Sequence, residues 1–330
     1  MSEQKIRLVR KEEFEELMGL MNTSFGFVEE EAKFEYILPK LYFKDNKNMI
    51  HYGVFENGKM VASVGLYFMT FVSKYGTLKA GCVGAVSTHP DYRKKGYFSM
   101  TIKKVIKYAK NHHFDILFLG GNRFRYNHFG FENAGRKLVF NISRRTKQVL
   151  KSEEYEVVKL DKNNNADINA CLSLYNKQLI HSQRTSANFY KHTISWGCQP
   201  YVIKVDDRVV GYFLRKEQRD IFELVFENKY LDTVLMACLG DNDEVSIALP
   251  YSLYSEKLLS KVDSYSVCHC EMFNVLNFDG VKKFLSFNKS LEDEFNKLTK
   301  REKIRMLLGC DEYSSKFAEI DMFIYSGDQG

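Results

Sequence analysis

A basic turn, Arg93-Lys94-Lys95-Gly96-Tyr97-Phe98, stands directly before a run with helical periodicity. The segment Arg125-Tyr126-Asn127-His128-Phe129-Gly130-Phe131 follows after a short apolar stretch. A helix that opens straight after a glycine turn aims several unpaired N–H groups at one point. Its dipole and the charges of Arg93, Lys94 and Lys95 favour an anion there, and a pyrophosphate is the natural guest. The competing reading is a solvated basic turn that happens to open a helix.

Elements on both sides must hold this turn. Phe98, Ile102, Val105, Ile106 and Ala109 share one helical face, while Lys103, Lys104, Lys107 and Lys110 fall largely on the other. Ile116-Leu117-Phe118-Leu119 has no polar alternation, which suits a strand covered on both faces, as in a βαβ unit. Upstream, the alternating segments Met49 to Phe55 and Met60 to Val72 are joined by Glu56-Asn57-Gly58-Lys59, a strong hairpin signal. A second turn at Lys74-Tyr75-Gly76 leads into a strand ending at Val86, and helices are expected over the acidic run from Glu12 and over Glu29 to Leu38, before Pro39. The first unit thus reads β-α-α-β-β-β-α-β-α-β and closes near Lys137 to Ile142.

The order of elements then recurs. Helices are expected over Ala166 to Gln178 and Thr185 to Trp196, a hairpin over Tyr201 to Tyr212, a strand over Ile221 to Phe226 and a helix over Leu231 to Leu239. Here strand passes to helix through Glu227-Asn228-Lys229-Tyr230, so the second unit has no obvious anion site. The last stretch holds Glu271 to Leu276, a short helix at Val281 to Leu285, a charged helical segment at Leu291 to Leu308, and an apolar run near the terminus that predicts a packed end.

At 330 residues and 45% apolar, the chain has room for two or more domains with sizeable cores. A net charge of +6 is spread along it, which admits an anionic ligand without the dense patch typical of nucleic-acid binding. The N-terminus lacks the apolar core of a signal peptide, and no run approaches the roughly 18 apolar residues a membrane span needs. A cytoplasmic protein with no membrane or nucleic-acid partner is expected, and self-association stays open. Among seven cysteines, Cys82, Cys171, Cys198 and Cys238 sit in apolar settings and read as reduced core residues. Cys268-His269-Cys270 has no second ligand pair at suitable spacing and reads as strand, so no metal is expected. Cys82 has no evident base partner for a nucleophilic role.

With the basic turn and the Tyr-x-x-x-Gly-Phe segment in view, the chain resembles the GNAT family of N-acetyltransferases. Its layout is most similar to the branch named for enhanced intracellular survival, which carries tandem GNAT units and a C-terminal domain. Arg93 to Phe98 occupies that family's acyl-CoA turn, with Phe98 where a small residue is usual. The resemblance implies an α/β fold of two tandem GNAT-like mixed-sheet units plus a small C-terminal α/β segment: an acetyltransferase domain over 1–150, a degenerate second unit over 151–270, and a reduced segment over 271–330. It implies acetyl-CoA as co-substrate and an amine-bearing acceptor: a small cationic amine, an aminoglycoside-like amine or a peptide or protein lysine. The strand residues Val86, Ser87 and Thr88 would pair with the pantetheine arm. Arg93, Lys94, Lys95, Gly96, Tyr97, Phe98 and Ser99 would cradle the pyrophosphate, and Gly121 and Asn122 would make a further contact. Tyr126 would be the general acid, the alternative being an aromatic packed on cofactor or core. The C-terminal carboxylate of Gly330 would be the base, with Asp328, a water relay, Glu29, Glu30 or Glu31 as alternatives. His89 and His128 read as loop and helix-surface residues. The competing functions are a non-catalytic module that senses acyl-CoA or binds a partner, and a transferase of another acyl group, peptidyl or long-chain.

Overall fold

The computed structural model describes residues 4–217, 220–253, 256–310 and 313–329. Its strands are β1 (Gln4–Leu8), β2 (Met49–Glu56), β3 (Lys59–Ser73), β4 (Gly76–Thr88), β5 (Ile116–Leu119), β6 (Glu132–Ser143), β7 (Glu156–Lys159), β8 (His181–Ser182), β9 (Gln199–Val205), β10 (Arg208–Lys216), β11 (Asp220–Phe226), β12 (Glu244–Pro250) and β13 (Ser264–Val275). They form one mixed sheet in the order β1-β2-β3-β4-β5-β13-β6-β12-β11-β10-β9-β7, with β8 added on β3.

Two antiparallel meanders, each followed by one parallel pair, make up the two units. The parallel pairs are β4/β5 and β11/β12, and each is bridged by a helix, Tyr97–Asn111 in the first unit and Leu231–Leu239 in the second. The units do not simply abut. The late strand β13 inserts between β5 and β6, and β6 pairs on its other edge with β12. Each unit therefore completes its sheet with a strand from the other half of the chain. The boundary expected at 270/271 falls inside β13.

Local chemistry explains most elements. Asn57 and Gly58 both take left-handed φ, +52° and +82°, as the two-residue turn between β2 and β3 requires. The helix Tyr97–Asn111 buries Ile102, Val105 and Ala109 and exposes its four lysines. Every residue of β5 is buried. Ile116 and Phe118 point into a core shared with the second unit and the C-terminal helices, while Leu117 and Leu119 point into the core under Tyr97–Asn111. Two expected helices are broken. Glu29 to Leu38 divides into a 3-10 turn, Glu30–Ala32, and a short helix, Phe34–Ile37, because Lys33 between them is extended. Leu291 to Leu308 divides at Leu298 and Thr299, where Thr299 caps a new helix, Lys300–Leu308, in a capping box with Glu302.

The end of the chain is packed, as the apolar run predicted: Met322, Phe323, Ile324 and Tyr325 are buried. Cys82, Cys171, Cys198 and Cys238 are buried and reduced. Gly135 marks the junction of β6, β13 and this tail. Its φ is +69°, and a Cβ there would lie 2.3 Å from Cys270 Sγ and 2.5 Å from the Met322 carbonyl oxygen. Gly135→Ala is expected to cost about 2–4 kcal/mol, overpacking and left-handed backbone strain together, read as a lower denaturant midpoint at unchanged slope.

Candidate active site

The site lies where β4 and β5 part. They pair in parallel over Ala80↔Ile116, Gly81↔Leu117 and Cys82↔Phe118. Beyond that point β5 ends at Leu119, while β4 runs on to Thr88. A bulge helps to separate them. The β3/β4 register jumps between Ser63↔Ser87 and Gly65↔Gly84, and Ala85 in the jump has φ +46°. The opening is a cavity of about 380 Å³ walled by Cys82 to Val86, Gly120 to Asn122 and Tyr126. Val86, Ser87 and Thr88 thus lie on a strand whose β5 edge is unpaired among the described residues, a free ladder for an extended ligand.

The basic turn sits at the start of the helix Tyr97–Asn111. Lys94 and Gly96 both adopt left-handed φ, +66° and +78°. Side chains of the turn reach back into the protein. Lys95 Nζ lies 3.1 Å from Glu56 Oε1, the Tyr97 hydroxyl donates to Glu56, and Arg93 Nη2 donates to the Ser24 carbonyl at 3.4 Å. Glu56 and Tyr97 thereby clamp the turn to β2. Main-chain N–H groups at a helix start are the donors such a turn can offer an anion. Phe98, the departure from a small residue, packs edge-on against Tyr126 at 5.6 Å and Phe129 at 5.5 Å.

Tyr126 ends a single helical turn, Arg123–Tyr126, whose N-cap Asn122 accepts from the Phe124 N–H at 2.9 Å. Its ring is buried and lies over Gly121, where a Cβ would come within 2.7 Å of Tyr126 Cε2. Burial pushes the phenol up, against a smaller pull from Arg125, so the hydroxyl stays protonated at neutral pH. A protonated phenol in the wall of the cleft can give a proton to a leaving group.

Gly330 lies outside the described residues. Its neighbours show how the tail arrives. Asp328 is buried, accepting from Ser182 Oγ and Tyr175 Oη at 2.6 Å and from Arg184 Nε at 3.0 Å. Burial works against its charge, but Arg184 and His192 outweigh it and hold the carboxyl far below the usual carboxylate range. Arg184 also grips Glu223 bidentately at 2.8 and 2.9 Å, and Tyr212 Oη donates to the same carboxylate at 2.6 Å. Asp328 is therefore an anchor, spent on the second unit. Lys40, from the first unit, donates to the carbonyls of Gly327 and Gln329. Glu29, Glu30 and Glu31 are exposed and line neither wall of the cleft, with Glu30 paired to Lys33. His89 accepts from the Asp91 N–H within its own loop.

Several cleft residues escaped the sequence reading. Glu271, the one acidic residue in β13, lines the cavity, and Gln329 Nε2 donates to its Oε1 at 2.6 Å. Trp196, the sole tryptophan, reaches the same cavity from the second unit with φ +63° and no partner for its buried Nε1 among the described residues. A lone carboxyl in an uncharged strand was a legible signal for the first. Nothing local marks the second.

The sequence model of the acetyltransferase (GNAT) domain matches residues 5–134, which take in β1 to β5, the turn and Tyr126. No curated protein matches the sequence. Among solved structures, the fold is similar to that of a probable N-acyltransferase from Enterococcus faecalis, with 14% identity over 86% of this chain and 74% of that one, and a TM-score of 0.68. Eis1 from Mycobacterium abscessus aligns at 11% identity over 84% and 75% of the two chains, with a TM-score of 0.60. A tandem GNAT protein from the clavulanic acid biosynthesis pathway aligns at 10% identity over 83% of this chain and 99% of that one, with a TM-score of 0.50. Residues 5–134 therefore match the acetyltransferase (GNAT) domain, and the chain as a whole shares its fold with Eis1 and the tandem GNAT protein.

Proposed function

We propose that the chain transfers the acetyl group of acetyl-CoA directly to a primary amine, in the β4/β5 cleft of the first unit. One observation supports this reading: the β4/β5 splay is flanked by a basic turn that opens a helix and by a buried tyrosine whose phenol stays protonated. The pyrophosphate would rest on the N–H groups of Arg93 to Ser99, and the pantetheine arm would pair with the open edge of Val86 to Thr88. Gly121 and Asn122 would bound the thioester end. Tyr126 would hold its proton until the C–S bond breaks and then protonate the thiolate. Amine and thioester side by side in one cleft supply the proximity term. Residues 1–150 would carry the reaction, with 151–270 and the C-terminal segment positioning it. The passage from strand to helix in the second unit, Glu227 to Tyr230, lacks an Arg-x-x-Gly turn, so one acetyl-CoA per chain would be expected.

Gly96→Glu tests the cradle. A Cβ at Gly96 meets open space, so the variant adds backbone strain at φ +78° and a carboxylate beside the phosphates without a packing clash. Acetyl-CoA affinity is expected to fall about 100-fold or more in titration calorimetry, with the thermal transition close to wild type. Unchanged affinity would place the cofactor elsewhere.

A further inference from the structure

We propose that Glu271 is the base of this site and that the amine reaches it from a chamber between the two units. This assignment rests on the acetyltransferase reading above and adds to it a proton acceptor and an entry route.

Strand register puts Glu271 at the corner. β13 pairs with β5 up to Met272↔Leu119, and Glu271 is the next residue, opposite the point where β5 turns away through Gly120 and Gly121. Gly120 leaves the room: a Cβ there would sit 3.3 Å from Glu271 Oε2. Two cavities meet at this carboxylate. One is the cleft with Tyr126. The other has a volume of about 560 Å³ and extends toward the second unit, past Lys137 on β6, Asp220 and Phe222 on β11, and Ser246 and Ala248 on β12. Gly120, Gly121, Glu271 and Gln329 form the wall common to both. A group bound in the larger chamber thus faces the thioester end of the cleft across Glu271. The chamber's size and its mix of charged, hydroxyl and aromatic walls suit a small polar molecule or side chain bearing a primary amine.

The chemistry matches a base. Gln329 occupies Oε1 and orients the carboxylate. Burial pushes Glu271 up to about 7, with Lys137 pulling the other way, which leaves a base poised near neutrality. The titratable and charged groups that line the two cavities with it are Lys137 on β6, His269 on its own strand, Asp220 on β11, Cys82 on β4, and Arg125 and Tyr126 beyond β5. In the reaction the carboxylate takes one proton from the bound ammonium. The freed nitrogen lone pair forms the C–N bond, and the C–S pair leaves on sulfur, which Tyr126 protonates. The second nitrogen proton restores the Tyr126 phenol, and the proton on Glu271 goes to solvent. The balance is ammonium plus thioester to amide, free thiol and one proton.

Thiol release by the full chain is measured with 1,4-diaminobutane, lysinamide and a lysine peptide, across pH, for wild type and Glu271→Gln. Acetyl-CoA affinity is followed through Trp196 fluorescence. The wild type is expected to lose kcat/KM as pH falls through about 7. Glu271→Gln is expected to lose kcat about 100-fold near neutrality, to lack that limb, to regain rate as alkaline pH deprotonates the amine, and to keep its acetyl-CoA affinity. A wild-type rate and an unaltered acidic limb in Glu271→Gln would overturn the assignment while leaving the acetyltransferase reading intact. Should wild type release thiol with none of the amines, both fall. Ala248→Leu, which narrows the chamber away from the cleft, is expected to raise the amine KM about tenfold at constant kcat and acetyl-CoA affinity. An unchanged KM would overturn the entry route.

Discussion

Tyr126→Phe is expected to lower kcat about 10²- to 10⁴-fold while acetyl-CoA affinity stays near wild type. The substitution removes one oxygen and keeps the ring. Contacts with Phe98 at 5.6 Å and Phe131 at 6.3 Å survive, as does the packing over Gly121, so cleft shape and fold should hold. What disappears is the proton for the departing thiolate. Because burial keeps the phenol protonated through neutral pH, its loss should be felt equally from pH 6 to 9. That separates it from loss of a base, which alkaline pH relieves. Unchanged single-turnover rates would remove Tyr126 from the acid role and leave it an aromatic of the wall.

Arg184→Ala is expected to be the most destabilising substitution in the second unit, by about 3–5 kcal/mol. Arg184 is the shared partner of two carboxylates, Glu223 and Asp328, and all three are buried. Removing the cation leaves two negative charges facing each other without water, a far worse state than the ion pairs. The sign of the pH effect follows from Asp328. Its folded pKa is depressed, so its contribution is present above the unfolded carboxylate value of roughly 4 and is lost as pH falls through the folded value. The variant should therefore lose stability at neutral pH and show a flatter acid limb than wild type. Urea titrations at pH 7 and pH 3 measure both. A functional loss should accompany it, because the anchor at Asp328 holds Gln329 against Glu271. Full activity together with the expected destabilisation would show that the tail's position does not matter to the cleft.

The parts of this site that were legible in the sequence are those whose signals are local. The turn Arg93 to Gly96, the amphipathic helix after it, the all-apolar β5 and the Asn57-Gly58 hairpin each depend on neighbours within a few residues. Period, glycine placement and charge were enough to find them. Recurrence of the same element order likewise exposed the second unit. The strand exchange was not legible, because β13 pairs with β5 across a long separation and its own residues, Ser264 to Val275, look like any strand. Glu271 carried a local signal, a lone carboxyl in an uncharged strand, but its place in the cleft is set by the end of β5 and not by its neighbours. Arg184, Glu223 and Asp328 are ordinary surface residue types until the fold buries them together. The helix expected over Glu29 to Leu38 failed because the Phe34 N–H is taken by Asn22 Oδ1 rather than by a preceding helical turn. Among the described residues no helix is long and apolar enough to cross a membrane.

The central claim is that the first-unit cleft performs acetyl transfer to an amine. Its most direct measurement is free-thiol release from acetyl-CoA by the wild-type chain, with a polyamine, an aminoglycoside or a peptide present or absent, alongside mass analysis of the amine. The account predicts thiol release that depends on the amine, with one acetyl added to the amine per thiol formed, and release from Gly96→Glu about 100-fold slower at limiting acetyl-CoA. Tight binding of one acetyl-CoA per chain with no thiol release for any amine would contradict it and make the protein an acyl-CoA sensor.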